Sequence, residues 1–124
     1  MREEARNWLA QARAELASAR AAIGFGSHYL AAFCAHQAVE KALKAGWLDR
    51  KREVPPHTHN LLDLAVPFSP PGEIAGMLRR LNPHYSVSRN PDAANGVPAL
   101  LYDESIARPL VDAAEKVMKW LDSA

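Results

Sequence analysis

The stretch FCAHQAVEKALKAGW, Phe33 to Trp47, concentrates groups able to bind ligands or move protons: His36, Gln37, Glu40, Lys41 and Lys44. At about 100° per residue in a helix, these share one arc with Tyr29, Leu30, Phe33, Trp47 and Leu48. The opposite arc (Ala31, Ala32, Ala35, Ala38, Val39, Ala42, Ala45 and Gly46) is nearly all small residues, which lets neighbouring backbones approach closely. A helix patterned this way is expected to be covered on most sides, by its own bundle and by a second subunit. Its polar row would then lie in a cleft or interface, where each group must find a partner. The plainer reading is a solvated face on which His36 supports Glu40, and Glu40 supports Lys44, at roughly a few tenths of a kcal/mol per i,i+4 pair.

The second candidate is HYSVSRNPDAANG, His84 to Gly96. Arg89 offers a planar, permanently charged fork suited to a phosphate. Asn90, Pro91 and Asp92 after it are also ordinary turn chemistry, since Asn and Asp serve local backbone and Pro sets φ. Tyr85 and Tyr102 flank the segment and could pack on a base or on the bundle. His84 is expected to pack.

Several chemistries lack their residues. His36 and Glu40 have metal-ligand spacing, and His57 and His59 are near neighbours. A metal site in a bundle draws carboxylates and histidines from facing helices, with a Glu-x-x-His motif that this chain does not contain. Gly24-Phe25-Gly26 lacks the strand and the Gly-Lys-Ser/Thr of a phosphate loop. No serine elbow is present, and Cys34 has no evident activating neighbour. No metal or other cofactor is expected.

The elements that must position these groups read as helices. Ala5, Trp8, Leu9, Ala12, Leu16, Ala19 and Ile23 recur at helical spacing over residues 2–23. Gly24 and Gly26 are stop signals, and Ser27 is a candidate cap for a second helix reaching about Leu48. The segment DRKREVPPHTH breaks it. HNLLDLAVPF fits a short helix before Pro67, and SPPGEIAGMLRRLN another to about Asn82, with its prolines where a helix start tolerates them. Residues 83–101, with three prolines, a glycine and two asparagines, read as a long irregular loop. Asp103 is a candidate N-cap for a last helix to about Asp122, in which Pro109 should kink the helix or delay its start. The expected fold is all-α: an antiparallel up-and-down bundle of four to five helices in one domain, residues 1–124.

Composition agrees with that reading. The chain has 124 residues, 48% of them hydrophobic, enough for one core. A formal net charge of +1 argues against a nucleic-acid coat or an acidic tail, but allows a local basic site. The opening MREEARNW has no apolar stretch of the signal-peptide kind. No apolar run approaches the roughly 20 residues that span a bilayer. One cysteine cannot form an internal disulfide. A cytoplasmic protein without a membrane partner is expected.

Four pieces in order resemble the HEPN domain, the higher-eukaryote and prokaryote nucleotide-binding domain. They are His36-Gln37-Ala38-Val39-Glu40-Lys41-Ala42-Leu43-Lys44, then His59-Asn60-Leu61, Arg89-Asn90-Pro91-Asp92, and Ala114-Glu115-Lys116-Val117. The resemblance covers nearly the whole chain, Trp8 included. It implies a four- to five-helix bundle, usually dimeric. Small stand-alone members look like partners of a minimal nucleotidyltransferase, in a toxin–antitoxin-like pair or as its substrate-binding subunit. Many other HEPN domains are metal-independent ribonucleases, in which Arg, a polar residue and a His a few positions on meet across the dimer at the scissile phosphate. Arg89-Asn90 matches the first half of that motif. Ala94, Asn95 and Gly96 occupy the window where the His would fall. Asn95 cannot act as a general base near neutral pH, and such a group is typically worth about 10²–10⁴-fold in rate. His84 or His36 could replace it only if the fold brings one of them to Arg89. Asn90 also stands where this branch carries an aromatic (Arg-Tyr-Pro-Asp).

The expectation is therefore a HEPN subunit that binds the phosphate of a nucleotide or nucleic acid, as a homodimer paired with a nucleotidyltransferase. Its candidate contacts are Arg89, Asp92, Gln37, Glu40, Lys41, Lys44, His36 and Tyr85, with Glu40, Lys41 and Lys44 lining one cleft near Arg89. The first alternative is a ribonuclease toxin with Arg89 and Asn90 as its catalytic pair, mildly favoured by the basic clusters Arg50-Lys51-Arg52 and Arg79-Arg80. The second is a structural dimerisation bundle that binds no nucleotide.

Overall fold

The computed structural model describes Met1–Ala124. Three long helices, α1 (Glu3–Phe25), α2 (His28–Gly46) and α8 (Glu104–Ser123), form the body of an all-α antiparallel bundle together with the ten-residue α4 (Gly72–Leu81). Single helical turns complete it: α3 (Leu61–Ala65), α5 (His84–Val87), α6 (Pro91–Ala94) and α7 (Pro98–Leu101).

The α1–α2 hairpin is built from alanine. Ala5, Ala12, Ala19 and Ala22 of α1 are fully buried, as are Ala31, Ala32, Ala35 and Ala38 of α2. Without large side chains between them the two backbones close up, which places α2 at the centre of the bundle. Larger core side chains come from the other layer: Leu61 and Leu64 of α3, Leu78 and Leu81 of α4, Val111 and Val117 of α8. The hairpin turns at Gly26, whose φ of 85° suits glycine, and Ser27 returns its N–H to the Ala22 carbonyl at 2.9 Å. The Ser27 side chain makes no cap hydrogen bond.

Beyond Gly46, α2 loosens into a π-helical turn, Trp47–Lys51. Trp47 Nε1 donates to the Leu64 carbonyl at 2.9 Å and ties this end to α3. Asp103 caps α8 by accepting from the Ile106 N–H at 3.0 Å. The helix therefore starts before Pro109 and runs through it, so the proline does not delay the start.

Residues 83–101 are not the irregular loop that their composition suggested. Each proline stands at the entrance of a helical turn: Pro83 before α5, Pro91 at the head of α6, Pro98 at the head of α7. Proline's fixed φ suits that position, and its missing N–H costs nothing there. Tyr102 closes the segment. It is buried against His84, whose Nδ1 meets its hydroxyl, and burial pushes the phenol up to about 12. No helix is long and apolar enough to cross a membrane.

Candidate functional site

On successive turns of α2, His36, Glu40 and Lys44 are all buried, at 0, 3 and 9% exposure. A solvated face is therefore ruled out for this row. Glu40 is the hub. Its Oε2 accepts from Lys44 Nζ at 3.1 Å, and its Oε1 lies 2.9 Å from His59 Nδ1 and 3.8 Å from His36 Nδ1. A carboxylate this deep is costly unless paired, and here a cation and an imidazole meet its two oxygens.

His59 arrives from the segment ahead of α3. Its neighbour Asn60 caps that helix, accepting from the N–H groups of Leu62 and Asp63 at 2.9 and 3.3 Å. The Leu61 N–H donates to Asn82 Oδ1 at 2.9 Å, which fixes the segment to the end of α4. The His59 ring then lies flat on Tyr85, with centroids 3.7 Å apart and planes 12° from parallel. The Arg89 guanidinium is 4.3 Å from the Tyr85 centroid and 4.9 Å from that of Phe33. With His59 covering one face of Tyr85, the guanidinium takes the other. Its Nε donates to the Tyr85 carbonyl at 3.1 Å, and no carboxylate pairs with it. The two terminal nitrogens are left as an exposed, planar donor fork resting on two rings.

A HEPN family model matches residues 5–124 of this chain. The chain belongs to the HEPN domain family. Two solved structures superpose over nearly their full lengths. TT1696 from Thermus thermophilus has 31% identity and a TM-score of 0.88, over 98% of each chain. An archaeal HEPN homologue has 29% identity and a TM-score of 0.84, over 99% of this chain and 98% of its own. A comparison with curated proteins finds no match.

Within this HEPN chain the candidate residues separate into groups. Tyr85 and Arg89 form one layered cluster with His59, with Glu40, Lys44 and His36 beneath it. Gln37 joins them through its Oε1, 3.3 Å from His36 Nδ1. Lys41 instead turns to α1, where its Nζ donates to Glu15 at 2.8 Å. Asn90 precedes α6 in extended conformation, and Asp92 is exposed in its first turn; the side chain of neither bonds to Arg89.

The histidines divide as well. His36 is enclosed, its Nε2 has no partner, and burial lowers its pKa against the opposing pull of Glu40. Burial likewise lowers that of His84, which packs on Tyr102. The imidazole brought beside the Arg89 cluster is His59, half exposed and held by Glu40. In the sequence His59 stands out only beside His57 and within a family string, and Phe33 carries no mark of a site residue. The signal for His59 was the His59-Asn60-Leu61 string, in which Asn60 caps α3 directly after the histidine.

No three of the His, Cys, Asp and Glu side chains converge as metal ligands would. Cys34 is half-buried, and burial, helped by Glu15, pushes its thiol pKa up, away from a reactive thiolate. Of the basic clusters, Arg50 is committed to the bundle. It donates to the Leu121 carbonyl and lies 5.8 Å from the Phe68 ring centroid.

Proposed function

We propose that this HEPN chain binds the phosphate of a nucleotide or of single-stranded RNA at Arg89. In this reading it acts as a homodimer and pairs with a minimal nucleotidyltransferase. The observation that carries the phosphate reading is the Arg89 fork. A guanidinium with both terminal nitrogens exposed, no acidic partner and two rings beneath it is preorganised for an oxyanion. Support for dimerisation and for the nucleotidyltransferase partner comes from the sequence resemblance. Sedimentation of the purified chain tests the first, and co-purification with the product of a neighbouring nucleotidyltransferase gene tests the second.

Anisotropy titration of a labelled single-stranded RNA against wild type, Arg89→Ala and Arg89→Lys tests the phosphate contact. Arg89→Ala should weaken binding about tenfold or more, and Arg89→Lys should recover part of it, since it keeps the charge but not the fork. The salt dependence of the alanine variant should fall by roughly one phosphate contact. Equal affinity in wild type and Arg89→Ala would sink the reading.

A second reading, a metal-independent ribonuclease, is favoured by one observation: Glu40 orients His59 through a 2.9 Å contact, as a carboxylate orients a catalytic imidazole. The Tyr85 ring separates that imidazole from Arg89, so one phosphate could meet both only around the ring's edge. That geometry ranks binding ahead of cleavage. RNA cleavage in chelator, lost in both Arg89→Ala and His59→Ala, would reverse the order.

A further inference from the structure

Hollows beside Arg20 and Arg108 are lined by guanidiniums already paired, Arg20 with Asp112 and Glu115, Arg108 with Glu104. A different one opens between α1 and α2, about 270 Å³ in volume, lined by Asn7, Trp8, Gln11 and Lys41. Trp8 is its one hydrophobic lining residue. Trp8 is half-buried. The buried Lys44 Nζ lies 5.7 Å from its ring centroid. Lys41 is held in place by Glu15, 2.8 Å away. Asn7 and Gln11, one turn apart on α1, present exposed amides whose side chains bond to nothing else in the chain.

We infer that this hollow is a nucleobase subsite: a base of single-stranded RNA stacks on Trp8 and turns its polar edge to the Asn7 and Gln11 amides. An aromatic face beside a lysine is the pairing that single-strand binders use, and it tolerates any base because every base has a π-face. The inference rests on the phosphate reading of Arg89 and adds a second contact to it. Phe33, under Arg89, and then Gln37 and Lys41 occupy successive turns of α2, so the strip from Arg89 to the hollow runs about 12 Å along the helix. That span exceeds the separation of base and phosphate in a nucleoside monophosphate. The ligand class is thus a single strand of at least two nucleotides rather than a nucleoside monophosphate.

The test titrates a short single-stranded RNA, and the same strand carrying abasic positions, into wild type, Trp8→Ala, Trp8→Phe and Arg89→Ala. Trp8→Ala should weaken the intact RNA about five- to 150-fold, the range for loss of one stacked base. Trp8→Phe should keep most of the affinity, which separates stacking from a folding defect. The abasic strand should bind wild type and Trp8→Ala alike. Intact RNA should also quench indole emission in wild type and not in Trp8→Phe. Unchanged affinity in Trp8→Ala, with Arg89→Ala still impaired, overturns the subsite and leaves the phosphate reading standing. An equal loss of abasic and intact strands in Trp8→Ala also overturns it. A Trp8 effect with no Arg89 effect upholds the subsite and removes the phosphate reading instead.

Discussion

His59 and Tyr85 stack face to face, and through that contact the segment ahead of α3 becomes a roof over the buried Glu40 carboxylate. The same tyrosine ring carries Arg89 on its other face. One side chain thus positions both the imidazole and the guanidinium. Tyr85→Ala should weaken RNA binding about as much as Arg89→Ala, because the freed guanidinium loses its preorganised fork. Tyr85→Phe should bind like wild type, since the ring alone does the positioning. An anisotropy titration of the three variants decides. Wild-type affinity in Tyr85→Ala would mean that Phe33 is platform enough.

Glu40 and Lys44 form a buried pair, with side chains 4 and 11% exposed. Neutralising one partner leaves an uncompensated buried charge, whereas replacing both with neutral side chains of similar size leaves none. Glu40→Gln should therefore lower unfolding free energy by about 3 kcal/mol, and adding Lys44→Met should restore part of the loss. Urea denaturation of the two single variants and the double variant measures the coupling. Strictly additive losses would show that the pair is not coupled.

Two histidines are held with lowered pKa values by burial, His36 and His84. In the unfolded chain each takes up a proton as pH falls through about 6.5, while the folded form resists until lower pH. The unfolded state then binds more protons, so stability is full above that range and falls as pH drops through it. Melting temperature should decline between about pH 7.5 and 5.5, and His84→Gln should flatten part of the slope. Asp103 shifts in the same direction. Hydrogen bonds from Ser105 and from the Ile106 N–H lower its pKa, so its share is present above the ordinary carboxylate range and is lost as pH falls through and below it. A flat profile across that window would contradict the assignment of His36 and His84 as buried neutral groups.

Gly46 is the seat of Phe68: a Cβ there would come within 2.9 Å of the ring. Gly46→Ala should destabilise the fold by about 1–3 kcal/mol, the usual cost of overpacking. Phe68→Leu in the same chain should recover part of it by clearing the contact. Thermal melts of the single and double variants test the pair, and an unaffected Gly46→Ala would show that Phe68 yields freely.

The sequence by itself determined the local elements and the fold class. Helical spacing of alanines and leucines, the glycine at the end of α1, the Asp103 cap and the HEPN strings all depend on residues within a turn or two of one another. Backbone hydrogen bonds and side-chain periodicity act at that range, so α1, α2, α4 and α8 were legible. The turns of residues 83–101 were not, because proline there signals equally a break and a helix start, and packing on α2 selects the start. The site depended on the tertiary structure still more. Helical spacing put Glu40, Lys41 and Lys44 in one row, but which of them goes under the roof depends on what packs above. His59, nineteen residues after Glu40 in the chain, supplies the second partner of the carboxylate, and Glu15 of α1 draws Lys41 to the other side. A buried charge takes whichever partner the fold brings within hydrogen-bonding distance, and that partner is set by the docking of helices, which spacing along the chain does not encode.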